Sequence, residues 1–229
     1  MNRVRNSAVA SFFLLLLWSC LAFAAATTEA ISGDVLLAPA NGEYASLAYG
    51  ERVDSGATIK TGANGRVVLR FDDGQKVSIS ESSLFVVNEY KFNPHKPAQS
   101  SFIVSLLKGG LRAVTGVIGE TNKRNVTFKS PVATVGIRGT DFQLYFDNRL
   151  YINVLSGAIS ATNDGGTTVF DAKTQPTGQV IDAQTKALPA PSSIFPAAAQ
   201  GAFRLQQQQP LMGPVKEPNP RDPNCKDRS

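Results

Sequence analysis

The segment ATVGIRGTDF, residues 133–142, holds two glycines, two threonines, one arginine and one aspartate among apolar residues. An arginine beside glycines is suited to binding an anion, because glycine admits a close approach to the backbone and the guanidinium donates several hydrogen bonds. A phosphate-cradling loop would need a strand before the segment and a helix after it. An alternating β-pattern begins at Phe142 instead, so the phosphate-loop interpretation fails on context.

Five residues of this segment form the candidate site: Gly136, Arg138, Gly139, Thr140 and Asp141. Glycines inside a β-run often mark a bulge or a bend. Arg138 could pair with Asp141 across that bend or donate to backbone carbonyls, and Thr140 could bond a nearby backbone group. We expect a structural role for the five residues, with ligand binding as the alternative.

Little else in the chain could support catalysis or hold a metal ion. The single histidine, His95, lies in a polar stretch between prolines and is typical of a solvated loop residue. The two cysteines, Cys20 and Cys225, lie near the ends of the chain and provide neither a disulfide framework nor, with one histidine, a structural zinc site. The aspartates at 72–75 lack the further carboxylates of a calcium loop. The sequence predicts no enzyme, no cofactor and no metal site.

The first residues have the layout of a secretory signal peptide. A positively charged start precedes an apolar run, and residues 22–24 form a small-x-small cleavage site. We therefore predict a signal peptide over residues 1–26 and export of the chain. Residues 17–20 are similar to a bacterial lipobox, so lipidation of Cys20 is the alternative. Contact with the membrane is expected only through the signal peptide or this lipid.

The charge of the chain argues against a nucleic-acid partner. The formal net charge is +5 over 229 residues, with 8% aromatic residues. A dedicated nucleic-acid binder shows clustered basic residues interleaved with aromatic ones. The predicted export from the cytoplasm also argues against a nucleic-acid partner.

The elements that must position the motif are predicted to be β-strands. An Asp-Gly turn at 72–75 joins two alternating runs, 66–71 and 76–80, into a hairpin. Strands and turn signals then recur about every ten residues up to 182, and Lys108-Gly109-Gly110 is predicted to end one of these strands. No helical period precedes residue 190. The pattern predicts one all-β domain over residues 27–186, either a sandwich or roll or a β-helix-like stack of short strands.

The last part of the chain changes in composition. Residues 187–229 contain eight of the thirteen prolines and a run of four glutamines. Such a segment buries too little apolar surface to offset its ordering entropy. We predict a Pro/Gln-rich, mostly disordered tail over 187–229, in which residues 195–209 could form a helix that docks on the β-domain or on a partner.

The order of several segments resembles the FecR-like periplasmic domain family. The matching segments, within residues 31–182, are Gly33–Val35, Ile59–Gly62, Val68–Gly74, Leu107–Arg112 and Ser130–Phe142. The resemblance implies an all-β periplasmic module of bacteria with an outer membrane. In the iron-citrate regulators of this family, the domain relays a signal between an outer-membrane transporter and a cytoplasmic sigma factor. Only seven residues precede the apolar run here, so we expect a free-standing exported domain instead of a transmembrane relay.

These observations predict a non-enzymatic binding or scaffold protein of the periplasm, with envelope sensing or signalling as its setting and a protein as its partner. Exposed sheet edges can accept an extended peptide. The alternative is a peptidoglycan- or glycan-binding envelope protein. Its binding residues would be exposed tyrosines, which could otherwise be half-buried strand residues: Tyr44, Tyr49, Tyr90 and Tyr151.

Overall fold

The computed structural model describes residues 24–196, and these are mostly β-strand. The strands are β1 (Ala24–Ser32), β2 (Val35–Ala38), β3 (Ala45–Ser46), β4 (Arg52–Asp54), β5 (Thr58–Thr61), β6 (Arg66–Phe71), β7 (Lys76–Ile79), β8 (Leu84–Lys91), β9 (Ser101–Val114), β10 (Val126–Lys129), β11 (Thr134–Ile137), β12 (Asp141–Asp147), β13 (Arg149–Ser156), β14 (Ala158–Asn163), β15 (Gly166–Asp171), β16 (Thr177–Val180) and β17 (Leu188–Pro189). One short helix, α1 (Val117–Thr121), and 3₁₀ turns at Pro97–Gln99, Lys123–Asn125 and Ser192–Ile194 complete the elements of this part of the chain.

The strands form one continuous sheet that folds back on itself through β9. The first layer has the order β4-β1-β6-β7-β9-β12-β13-β16-β17. The second layer has the order β3-β2-β5-β8-β9-β10-β11-β14-β15. Every pairing in these two layers is antiparallel except that of β9 with β10. The predicted all-β fold is confirmed, and its form is that of two facing layers.

The strand β9 belongs to both layers and sets the corner between them. Its first part, up to Lys108, pairs with β8 and β10, and its second part, from Gly109, pairs with β7 and β12. Gly109 has a φ of 80°, and a Cβ on it would lie 2.6 Å from the Cα of Ser83. Only glycine fits at this point. The predicted strand end at Lys108-Gly109-Gly110 is therefore wrong, because these glycines bend the strand without ending it.

A row of four aromatic rings joins the two layers. Phe71, Phe102, Phe128 and Phe142 are each at most 1% exposed. Their ring centroids are 4.8, 5.5 and 4.9 Å apart along this row. Tilted and edge-on aromatic pairs at such distances contribute about 0.5–1.5 kcal/mol beyond the burial of their area. Phe71 and Phe142 belong to the two alternating runs that the sequence shows at 66–71 and from residue 142.

The packed strands extend beyond both predicted limits of the domain, 27 and 186. At one end, β1 begins at Ala24 and pairs with β4 and β6. At the other end, β17 pairs with β16, and Phe195 is 6% exposed against Tyr145 and Tyr151. Cys20 and most of the predicted signal peptide lie outside the described residues, as do residues 197–229 of the predicted tail. Among residues 24–196, no helix is long and apolar enough to cross a bilayer.

Candidate functional site

The candidate motif connects the two layers of the sheet. Its first part is β11 of the second layer, and its last part opens β12 of the first layer. Arg138 and Gly139 form the bend between them. Gly139 has a φ of 67°, and a Cβ on it would meet nothing within 4 Å. The glycine is thus required for its backbone conformation and not for a close contact.

Thr140 is bonded to Thr115, directly after β9, and Asp141 to Arg112 in the second part of that strand. The backbone N–H of Thr140 donates to Thr115 Oγ1 at 2.9 Å, and that hydroxyl donates to Thr140 O at 2.8 Å. The Asp141 carboxylate accepts from Arg112 Nε at 2.9 Å and from Arg112 Nη2 at 2.7 Å. These bonds raise the pKa of the Arg112 guanidinium above its usual value. We call Gly109, Arg112, Thr115, Thr140 and Asp141 the β9 junction.

The pairing of Arg138 with Asp141 that the sequence suggested is not formed. Asp141 is bonded to Arg112, and the two side chains are only 22% and 17% exposed. Arg112 lies on the strand that pairs with β12, so it reaches the carboxylate from the side. Arg138 is exposed and lies on the opposite surface of the bend. Its backbone N–H donates to Ala158 O at 2.8 Å.

Gly136 and Arg138 lie on the outer face of the second layer. The strand register aligns Gly136 with Thr127 on β10 and with Ser160 on β14. Neighbouring residues along each of these strands are buried in the core, so this row faces outward. The row forms the floor of a groove of about 470 Å³. A Cβ on Gly136 would lie 3.0 Å from Ser160 Oγ, so the glycine keeps the floor open.

Three cationic side chains line this groove: Lys123, Arg124 and Arg138. The first two precede β10, and the antiparallel pairing of β10 with β11 places them at the same end as Arg138. All three are exposed, and no carboxylate of residues 24–196 lies within 4 Å of their charged nitrogens. We call Lys123, Arg124, Thr127, Gly136, Arg138 and Ser160 the basic groove.

The turn that carries Lys123 and Arg124 is fixed by two asparagines. Asn122 Oδ1 accepts from the backbone N–H of Arg124 at 3.2 Å. Asn125 Nδ2 donates to the carbonyls of Ala98 at 2.9 Å and Ser100 at 2.6 Å. The backbone that bears the two cations is therefore held in place, while their side chains extend into solvent.

The sequence identified only part of the groove. Gly136 and Arg138 were candidates, but Lys123, Arg124, Thr127 and Ser160 were not. Their convergence depends on the register of three strands, which the local pattern does not reveal. The one available signal was the adjacent pair of cations just before a predicted strand.

A second polar site lies at the turn between β6 and β7. Asp73 is 3% exposed, and its carboxylate accepts from Gln75 N at 3.2 Å, from Ile118 N at 3.3 Å and from Tyr90 Oη at 3.4 Å. Burial raises the pKa of Asp73 above its usual value and does the same to the pKa of Tyr90. The turn predicted at 72–75 is confirmed, and its second aspartate also fastens α1 to the hairpin.

The four candidate tyrosines have different surroundings. Tyr44 and Tyr49 are 49% and 75% exposed. Tyr90 is buried and bonded to Asp73. Tyr151 is partly buried and packs against Phe195. Only the first two could offer a ring to a ligand in the described part of the chain.

Other candidate chemistry is sparse in residues 24–196. His95 is an exposed loop residue, as expected, and its backbone N–H donates to Asn93 Oδ1 at 2.9 Å. No group of three or more His, Cys, Asp and Glu side chains in these residues is placed to hold a metal ion.

Residues 57–160 match the family model described as FecR protein, and this range includes both the β9 junction and the basic groove. Two crystal structures of a protein from Parabacteroides distasonis, described as a candidate anti-sigma factor, are similar at 12% identity, with TM-scores of 0.45 and 0.44. The chain spans 58% of the length of each, over 58% of its own length. A cell surface anchoring domain is 31% identical over 27% of this chain and 80% of that one, with a TM-score of 0.26. No curated protein matches the chain in sequence.

Proposed function

Because the chain carries a FecR domain at residues 57–160, we propose that it is a non-enzymatic binding module of a bacterial envelope sensing system, working in the periplasm. One observation carries this proposal. Within the candidate motif, the fold bonds the side chains of Thr140 and Asp141 but leaves Arg138 beside an open groove. An arginine that served the fold would be bonded within it, as Arg112 is. Arg138 is therefore available to a partner.

The chemistry of the groove favours binding over catalysis. Its lining includes cations and hydroxyls but no histidine, cysteine or carboxylate. The hydroxyl of Ser160 has no general base beside it within the groove, so it lacks the partner that activates a nucleophile. Preformed clefts with a few convergent polar groups are typical of binding sites.

The resemblance to the FecR-type regulators supports a protein as the partner. In those regulators the domain takes part in a relay between proteins of the envelope. We propose that this chain keeps the partner-binding part of such a relay. Removal of the signal peptide would leave the protein free in the periplasm, whereas a lipid on Cys20 would tether it to a membrane.

Site-specific photocrosslinking in cells tests the proposal. A photoreactive amino acid replaces Thr134, which is exposed on β11 beside the groove, or Ser46 as the control, which is exposed at the far edge of the same layer. We expect a discrete protein adduct from position 134, absent from position 46 and lost when Arg138→Glu is added. An adduct at 134 that is indifferent to Arg138→Glu, or no adduct at all, contradicts the proposal.

Glycan binding is the second candidate, and the exposure of Tyr44 and Tyr49 favours it. Exposed aromatic rings offer an apolar face with a polar tip, which suits a wet ligand surface. Cosedimentation with purified peptidoglycan tests this candidate. Retention in the pellet that is lost in a Tyr44→Ala/Tyr49→Ala variant would support it, and a protein that stays in the supernatant would exclude it.

A further inference from the structure

We propose that the basic groove binds the carboxylate side chains of an acidic segment in the partner protein. This inference rests on the proposed function and specifies the chemistry of its partner. It draws on the charge around the groove, on the types of donor inside it, and on what its lining lacks.

The groove has an unbalanced positive charge. Lys123, Arg124 and Arg138 supply three cations, and Lys129 adds a fourth on the same outer face, two residues beyond Thr127. A cleft lined by charges of one sign attracts the opposite sign and accelerates its association.

Two acidic residues that the strand register or the chain places near the groove form no ion pair with its cations. The register places Asp171 of β15 in line with Arg138, across Ala158. One oxygen of Asp171 accepts from the backbone N–H of Lys173 at 2.8 Å. Glu120 precedes Lys123 by three residues and makes no ion pair within residues 24–196. The charge of the groove is therefore left for a ligand.

The donors of the groove suit carboxylates better than phosphate. Phosphate sites in proteins commonly use several convergent backbone N–H groups. Here β11 is paired on both sides, with β10 and β14, and the N–H of Arg138 is bonded to Ala158. What remains among the side chains is two guanidinium forks, one lysine ammonium and two hydroxyls. The Arg112–Asp141 pair shows the two-pronged contact that such a fork makes with a carboxylate.

The lining also favours a protein segment over a sugar chain. No aromatic residue lines the groove, so it offers no ring on which a sugar could stack. Its volume of about 470 Å³ is within the usual range of ligand pockets and exceeds what one carboxylate fills. Because the strands beneath it are fully paired, the partner would be recognised through its side chains and not by adding a strand.

Peptide binding to the purified full-length protein tests the inference. The probe is an acetylated, amidated peptide with three consecutive glutamates, and its control has glutamines in their place. We expect binding by calorimetry that weakens about tenfold for the glutamine peptide and weakens with added sodium chloride. Arg138→Ala should weaken binding about fivefold. Arg149→Ala is the matched control, since Arg149 is also exposed but lies on the β12–β13 hairpin of the other layer.

A second variant narrows the floor of the groove without changing its charge. Gly136→Ala places a methyl group near Ser160 Oγ, at a position where the backbone is not left-handed. We expect it to weaken peptide binding with little change in the unfolding transition. If Gly136→Ala fails to fold, Ser160→Val alters the same floor from the facing strand.

Three results would overturn the inference. One is equal affinity for the glutamate and glutamine peptides. Another is an equal loss in Arg138→Ala and Arg149→Ala. The third is displacement of the peptide by inorganic phosphate far better than by acetate at matched ionic strength, which would make this a phosphate site. A crosslinked partner at position 134 together with any of these results would leave the proposed function standing and reject only the carboxylate chemistry.

Discussion

The β9 junction and the basic groove contain similar residue types, yet these residues are bonded within the fold at the junction and open to solvent in the groove. Both include an arginine, a glycine and a threonine, and both lie within residues 109–160. At the junction, Arg112 is bonded in a bidentate pair and Gly109 lies against Ser83. In the groove, Arg138 faces solvent and Gly136 keeps a floor open.

The motif at 133–142 therefore has a bonded side and an open side. Its last residues hold β12 to β9, whereas Arg138 presents its charge at the surface. A single label, structural or functional, therefore does not describe the whole motif. The useful question for each polar residue is whether the fold already supplies its partner.

The largest effect is expected from Gly109→Ala, which should lower the free energy of unfolding by about 3–5 kcal/mol. The added Cβ would lie 2.6 Å from Ser83 Cα, at a φ of 80°. Gly139→Ala is the matched control, because its φ is 67° but its surroundings are empty. It should cost about 1 kcal/mol. Urea denaturation measures both, and equal costs would show that close packing at the corner is unimportant.

A smaller loss is expected from Arg112→Ala, about 2 kcal/mol, because the partly buried carboxylate of Asp141 would lose its cation. Lys91→Ala removes a far more exposed pair with Glu89, in which the lysine is 71% exposed. That control should change stability by less than about 1 kcal/mol. Denaturation curves of the two variants compare the pairs directly, and similar losses would mean that the junction pair does not hold β12 to β9.

The smallest effect concerns Asp73, whose carboxylate fastens α1 to the hairpin. Burial raises its pKa in the folded state, so the folded protein holds the proton more tightly than the unfolded chain. Stability from this group is therefore lost as the pH rises from about 3.8 through the raised pKa. Asp73→Asn cannot ionise, so its stability relative to wild type should improve as the pH rises through this window. Parallel curves of unfolding free energy against pH would contradict this account.

Much of the local structure could be predicted from the sequence, because it depends on near neighbours. The Asp-Gly turn at 72–75 and the Asp147-Asn148 turn both close hairpins, and Asn148 has the positive φ, 60°, that such a turn requires. The continuity of β9 could not be predicted in this way. In a sequence, two adjacent glycines usually indicate the end of a strand. Only the structure shows that Gly109 is needed because the facing Ser83 leaves no room for a larger residue.

The site was harder to predict than the fold, because its contacts are distant in sequence. Arg112 and Asp141 are 29 residues apart and meet only through the pairing of β9 with β12. Arg138 meets Lys123 and Arg124 only through the register of β10 and β11. Because Arg138 and Asp141 are close in sequence, the local pattern suggested that they pair, and the fold does not form this pair.

The most direct test of the central claim measures stability and binding on the same two variants, Arg112→Ala and Arg138→Ala. Urea denaturation gives the stability of each, and calorimetry with the glutamate peptide gives its affinity under conditions where both are folded. We predict that Arg112→Ala loses stability and keeps its affinity, whereas Arg138→Ala keeps its stability within about 0.5 kcal/mol and loses affinity. Loss of both properties in both variants, or an unchanged affinity in Arg138→Ala, would contradict the division between a structural junction and a binding groove.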